Sequence, residues 1–186
     1  ATGRAVSLSF NASGVATTTG QYADVGQLAL TGTYAGSGTD AGLSMTGNST
    51  FIASPASFAF SSLPASPVAG STFSATLTAR NSAGSAVPNF GKETTVTQDY
   101  VRLAWAKYRP TGTAAVAGTF TGTGTAGTSP YISSTSFSNG AVTLSDLKWT
   151  EVGTGDLTAT LVSGSYLGTG NAVSGNTGGS GGVRSE

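Results

Sequence analysis

Apolar and small polar residues alternate along much of this chain, and the three-to-four-residue spacing of an amphipathic helix is absent from the same stretches. Ser57–Ser62 sets Phe58 and Phe60 between small residues, and Thr72–Arg80 does the same with Phe73, Ala75, Leu77 and Ala79. A period of two puts such residues on one face of a strand. Thr94–Tyr108 predicts a longer strand with Val101, Leu103 and Trp105 on one face and Tyr100, Arg102 and Ala104 on the other. Ser136–Leu147 holds Asn139-Gly140 between two alternating runs, and both residues suit the positive φ of a type I′ hairpin turn. Leu157, Ala159 and Leu161 then line one side of a closing strand. Pro55, Pro64, Pro67, Pro88, Pro110 and Pro130 all fall between these runs, where a missing N–H breaks no ladder. About seven or eight strands, with turns roughly every ten residues, predict an all-β fold, an antiparallel immunoglobulin-like β-sandwich.

A repeat refines that prediction. Leu147–Leu161, LKWTEVGTGDLTATL, echoes Gly20–Tyr34, GQYADVGQLALTGTY. Phe10 aligns with Phe137, Tyr22 with Trp149 and Val25 with Val152. The shared interval of about 127 residues is the length of a whole domain rather than of a solenoid unit. This spacing divides the chain into residues 1–52, the C-terminal part of an Ig-like β domain; residues 53–172, a complete Ig-like β-sandwich domain; and residues 173–186, a Gly-rich linker. The fold is thus expected to be tandem, with the first domain incomplete. Trp149 is expected to plug the core near a strand end, Glu151 to accept hydrogen bonds from free turn amides, and Gly153 to permit a tight corner. Asp24 and Gly26 are expected to act in the same way one domain earlier.

Composition agrees with strands and narrows the partners. The 28 glycines and the abundance of Ser and Thr disfavour long helices and suit short strands with tight turns. Charged residues make up 9% of the chain, eight basic against eight acidic. That leaves no concentrated basic surface for a phosphate backbone, so nucleic acid is not an expected partner. Hydrophobic residues at 38%, regularly alternated, imply a folded chain. No apolar run approaches the ~20 residues of a membrane-spanning helix, and ATGRAVSLSF lacks the apolar core of a signal peptide, so the chain is expected to be a piece of a longer or processed one.

Candidate chemistry is sparse. The chain has no His and no Cys, which removes histidine-dependent triads, cysteine nucleophiles, thiolate metal sites and disulfides. Lys92, Lys107 and Lys148 lie in strand or turn contexts without a nucleophile-elbow pattern, and the acids are scattered singly rather than as the opposed pair of a glycosidase. No catalytic residue, cofactor or metal site is therefore assigned, although Asp146, Glu151 and Asp156, five apart, form a conceivable Ca²⁺ corner whose simpler role is turn capping. Gly122–Ser129 is Gly-rich but lacks the Lys and helix of a phosphate loop, and Asn11 and Asn48 sit in glycosylation triplets that a Ser/Thr-rich chain produces by chance. Half of the positive charge, Lys92, Arg102, Lys107 and Arg109, clusters beside Tyr100, Trp105 and Tyr108. Lys107, Tyr108 and Arg109 are the candidate ligand surface, for a glycan or an anionic polymer; the plainer reading is an edge strand guarded by charge.

Three segments, Tyr22–Gly38, Phe51–Thr94 and Phe137–Gly153, resemble the large bacterial MshQ-like proteins, named for the mannose-sensitive haemagglutinin type IV pilus system. The pattern is shared with other bacterial Ig-like modules, including those of invasin type. The resemblance implies an extracellular protein of the bacterial cell surface or pilus, built from stacked Ig-like domains, with adhesion as its assumed role and no catalytic residue to carry over. The partners it implies are neighbouring Ig-like domains of the same polypeptide, with pilus subunits, further copies of the chain or surface glycans beyond them. Two other readings stand beside the structural or adhesive module. One is a filament subunit joined by β-strand complementation at edges near Val6–Phe10 and Leu28–Tyr34, and the other is a carbohydrate-binding module centred on Tyr108.

Overall fold

Alternation can be satisfied only where each strand finds a second layer to bury its apolar face. The computed structural model describes residues 3–93, 100–112, 115–116, 118–122, 131–178 and 183–185, and of Tyr100, Lys107, Tyr108 and residues 183–185 the backbone only. Its strands, in chain order, are β1 (Gly26–Ala35), β2 (Ser44–Ala53), β3 (Ser57–Ser61), β4 (Thr72–Arg80), β5 (Tyr100–Arg109), β6 (Phe120–Thr121), β7 (Tyr131–Ser133), β8 (Ala141–Trp149), β9 (Gly153–Leu161), β10 (Ser174–Asn176) and β11 (Val183–Ser185). The described residues contain no α-helix, only three-residue 3₁₀ turns such as Ser134–Ser136. All strand pairing is antiparallel.

Two sheets face each other. One runs β3-β4-β8-β6 and the other β10-β9-β5-β7, with β11 also on β9. Taken in chain order this is the A-B-E-D against C-F-G arrangement of an immunoglobulin-type sandwich. Phe73, Ala75, Leu77 and Ala79 of β4 are all buried, as are Leu144 and Leu147 of β8. From the second sheet Val101 and Leu103 of β5 and Leu157, Ala159 and Leu161 of β9 enter the same core. The predicted inward faces are therefore the observed ones. Aromatic rings close both ends of β4. Near Ala79, Phe90 meets Phe58 and Phe137 edge-on at 5.6 and 4.8 Å between ring centroids. Near Thr72, Trp149 stacks on Trp105.

Three expectations change. The 173–186 segment, expected as a linker, opens as part of the sandwich: Val173 is buried and Ser174–Asn176 pairs with Thr158–Thr160 of β9. One of its glycines serves packing there, since a Cβ on Gly175 would overlap the Phe58 carbonyl. The Asn139-Gly140 turn is present, with φ of 51° and 77°, but it closes a single bridge between Ser138 and Ala141, because a 3₁₀ turn takes the place of the incoming strand. Strand β5 is not a plain edge: β9 pairs with it from Val101 to Arg109, and β7 covers its start on the other side. Of the strand predicted over Thr94–Tyr108, residues 100–108 lie in β5, and 94–99, like Pro130, lie outside the described residues.

The N-terminal quarter differs in kind. Residues 3–25 form no strand and are almost wholly exposed, with one turn held by the Asn11 side chain, whose Oδ1 accepts from Ser13 N and Val15 N at 3.0 Å. β1 and β2 then pair over ten positions, Gly26 with Ala53 through Ala35 with Ser44, as a two-stranded ribbon.

Candidate functional site

The repeated corner motif is spelled alike in its two copies but packed differently. Gly26 and Gly153 both open a strand at positive φ, 126° and 147°, a backbone region open to Gly. Gly153 has a second constraint, because a Cβ there would overlap the Arg109 carbonyl. The flanking residues part company. Trp149 is 5% exposed and Tyr22 40%; Val152 is 57% exposed and Val25 2%. The expectation of equivalent surroundings fails because Val25 is buried by the sandwich that follows it, whereas Val152 faces solvent.

That difference creates a joint. Val25 belongs to the same buried cluster as Phe58, Phe90 and Tyr166. Asp24 Oδ1 accepts hydrogen bonds from its neighbour Val25 N at 2.9 Å and from Asn89 N at 3.1 Å. Asn81 Nδ2 donates to the Ala23 carbonyl at 2.8 Å, while Asn81 Oδ1 accepts from Ala83 N and Ser85 N and so fixes its own loop. Three consecutive residues, Ala23 to Val25, are thus tied to the 81–89 loop by two polar contacts and one apolar plug. Beneath them the Tyr166 hydroxyl donates to Glu93 Oε1 at 2.5 Å, and Glu93 Oε2 accepts from Gly91 N at 2.8 Å. Burial first, and then its bond to Glu93 and the charges of Glu93 and Asp24, push the Tyr166 hydroxyl well above the ordinary phenol range, so it stays a donor.

The basic candidates are spread over the length of β5 and the loop before it. Arg102 and Arg109 are exposed on β5, and Lys92 is exposed in the loop after Phe90. The backbone of Lys107 pairs with Gly155 and that of Arg109 with Thr154, with a register shift between them at Tyr108; the side chains of Lys107 and Tyr108 lie outside the described residues. Trp105 is not available to such a surface. Its indole packs inward against Trp149 and Phe120, at 5.0 and 6.1 Å between centroids. The proposed Ca²⁺ corner is not assembled: among the described residues no three acidic side chains come together, and Asp156 is buried, accepting from Thr177 Oγ1 at 3.3 Å. At this corner Thr150 N donates to the Thr119 carbonyl and Thr150 Oγ1 accepts from Thr119 N. Most of Gly122–Ser129 lies outside the described residues.

Sequence reasoning placed Asp24 in a turn but missed its partner. Asn89 is a loop residue 65 positions away, and no periodicity connects the two. Glu93 and Tyr166, 73 positions apart, were equally out of reach.

Comparison with known families agrees with the β architecture. Residues 1–48 match the model of a domain of unknown function, DUF6701, described as its first Ig-like domain. The match spans the irregular N-terminal segment, β1 and the first half of β2. No curated protein matches the chain. No described helix is long and apolar enough to cross a membrane.

Proposed function

We propose that this chain is a non-enzymatic, extracellular structural or adhesive module of a bacterial surface protein of MshQ-like, pilus-associated type, in which Ig-like units follow one another in series. The observation that carries the reading is the joint at Ala23–Val25. Ala23–Val25, inside the family-matched Ig-like segment, meet the sandwich that follows: Asn81 Nδ2 and Asn89 N of its loop donate to the Ala23 carbonyl and to Asp24 Oδ1, and Val25 is buried in its core cluster. A freely hinged linker would leave these residues in solvent; two hydrogen bonds and a buried side chain limit the angle between successive units. The absence of His and Cys and the scattering of the carboxylates support a role without chemistry.

Small-angle scattering and single-molecule stretching of the parent polypeptide test this. A row of compact units with narrowly distributed spacing, each unfolding as a separate event, is the expected result. A single globule, or turnover of a substrate by the purified chain, removes the reading.

A further inference from the structure

The two ends of the sandwich are not alike. β4 runs from Thr72, opposite Lys148, to Arg80, where the 81–89 loop begins. Its nine residues span about 30 Å, so the loop that holds Ala23–Val25 and the corner that follows Trp149 lie at opposite ends. The first end receives a corner. The second carries the other copy of the same motif, with Thr150, Glu151 and Val152 in the places of Ala23, Asp24 and Val25.

The likeness extends beyond the motif to the strands it opens. Gly26 starts β1 and pairs with Ala53 at the end of β2, so the chain leaves the ribbon beside the first corner and enters β3 at Ser57. Gly153 starts β9 and pairs with Ser185 of β11, which brings the chain back to the second corner in the same way. What differs is the cover. Val25 is buried against the following sandwich, and Val152 is exposed. The surface around Val152 is apolar as well. Val68 is exposed in a turn whose Gly70 N donates to the Trp149 carbonyl at 2.7 Å, and Val116 is exposed two residues before Gly118, where a Cβ would meet Glu151 and Trp149.

Given units in series, as proposed, we infer that the Thr150–Val152 corner is a docking surface for a further Ig-like unit of the same polypeptide. The first joint specifies the chemistry of that partner. Its loop presents an asparagine amide to the Thr150 carbonyl, a backbone N–H to the Glu151 carboxylate and an apolar recess to Val152, as Asn81, Asn89 and the cluster of Phe58 and Phe90 do for Ala23, Asp24 and Val25. The bonds of Thr150 to Thr119 hold the corner's backbone in place beforehand. A second copy of this chain is not the occupant, because its 81–89 loop already holds its own Ala23–Val25. A corner that fits a loop at the opposite end of the next unit makes a head-to-tail contact, which extends a row rather than closing a pair.

Hydroxyl-radical labelling of side chains, read by mass spectrometry, tests the docking by comparing the 186-residue chain with the parent polypeptide. In the chain Val152 and Val68 should label readily and Val25 little. In the parent Val152 should fall to the level of Val25, and Val68 should fall with it. Val152→Asp, at an exposed site, should leave the melting temperature of the 186-residue chain unchanged, whereas in the parent it should restore labelling at Val68 and broaden the spacing of the units. Equal labelling of Val152 in chain and parent overturns the inference, even where stretching shows separate units and the serial reading stands. A parent that forms one globule removes both. Protection of Val152 in the chain alone that grows with concentration also overturns it, since the occupant would then be a second copy.

Discussion

Trp149 at the end of β8 stacks on Trp105 of β5 with ring centroids 5.0 Å apart and planes 25° from parallel, joining the two sheets through a pair of indoles. Among the described residues neither Nε1 has a hydrogen-bond partner, and the pair contributes chiefly by area and stacking. Trp149→Ala should cost about 3–5 kcal/mol, whereas Trp149→Phe, which removes an unsatisfied N–H and keeps a ring, should cost much less. Chemical denaturation followed by the fluorescence of Trp105 measures both.

Glycine substitutions should divide according to what surrounds the missing Cβ. At Gly155 a methyl group would overlap the Trp105 indole, so Gly155→Ala should push the ring off Trp149 and cost about 1–3 kcal/mol. At Gly32 there is open space and no positive φ, so Gly32→Ala should be neutral or stabilise by up to ~1 kcal/mol. Thermal melts of the two variants side by side make the comparison. Equal effects would mean that the indole is not held where described.

The joint has its own signature. Asp24→Ala removes the acceptor of the Asn89 amide, and Val25→Ala withdraws part of the plug at about 0.8 kcal/mol per methylene-sized group. Either change should raise amide exchange at Asn89 and speed proteolysis around residue 22, while amides of β4 and β9 keep their protection. Unchanged exchange at Asn89 would show that the connection is loose already.

Tyr166 predicts an alkaline limb. Its hydroxyl titrates higher in the folded protein than the ~10 of an exposed phenol, because of burial and of Glu93. The folded state therefore binds more protons than the unfolded one above that pH. The associated stability is complete below about pH 10 and is lost as pH rises beyond it. Tyr166→Phe should flatten this limb, and at neutral pH it should cost about 1–3 kcal/mol by leaving the Glu93 carboxylate short of a donor. Denaturation midpoints from pH 8 to 11 decide it.

Much of the sandwich was legible from the order of residues alone. Alternation in Thr72–Arg80 and at Leu157, Ala159 and Leu161 named both the strands and their buried faces, since a period of two leaves no other way to gather those side chains. Asn139-Gly140 named its turn, and Gly26 and Gly153 their bends, because these are backbone requirements that a residue type meets locally. What remained open were relations between distant residues. Val25 and Val152 share a motif and take opposite environments, a difference set by which body each corner meets. Ser174–Asn176, at the start of the terminal stretch, became a strand because β9 offered an edge and Phe58 left room only for Gly175. Trp105, adjacent in sequence to a basic cluster, turned inward to Trp149. Local sequence specifies backbone shape and polarity, whereas burial, pairing partners and exposed edges depend on which chain segments come together in space, and that is fixed only when the two sheets close.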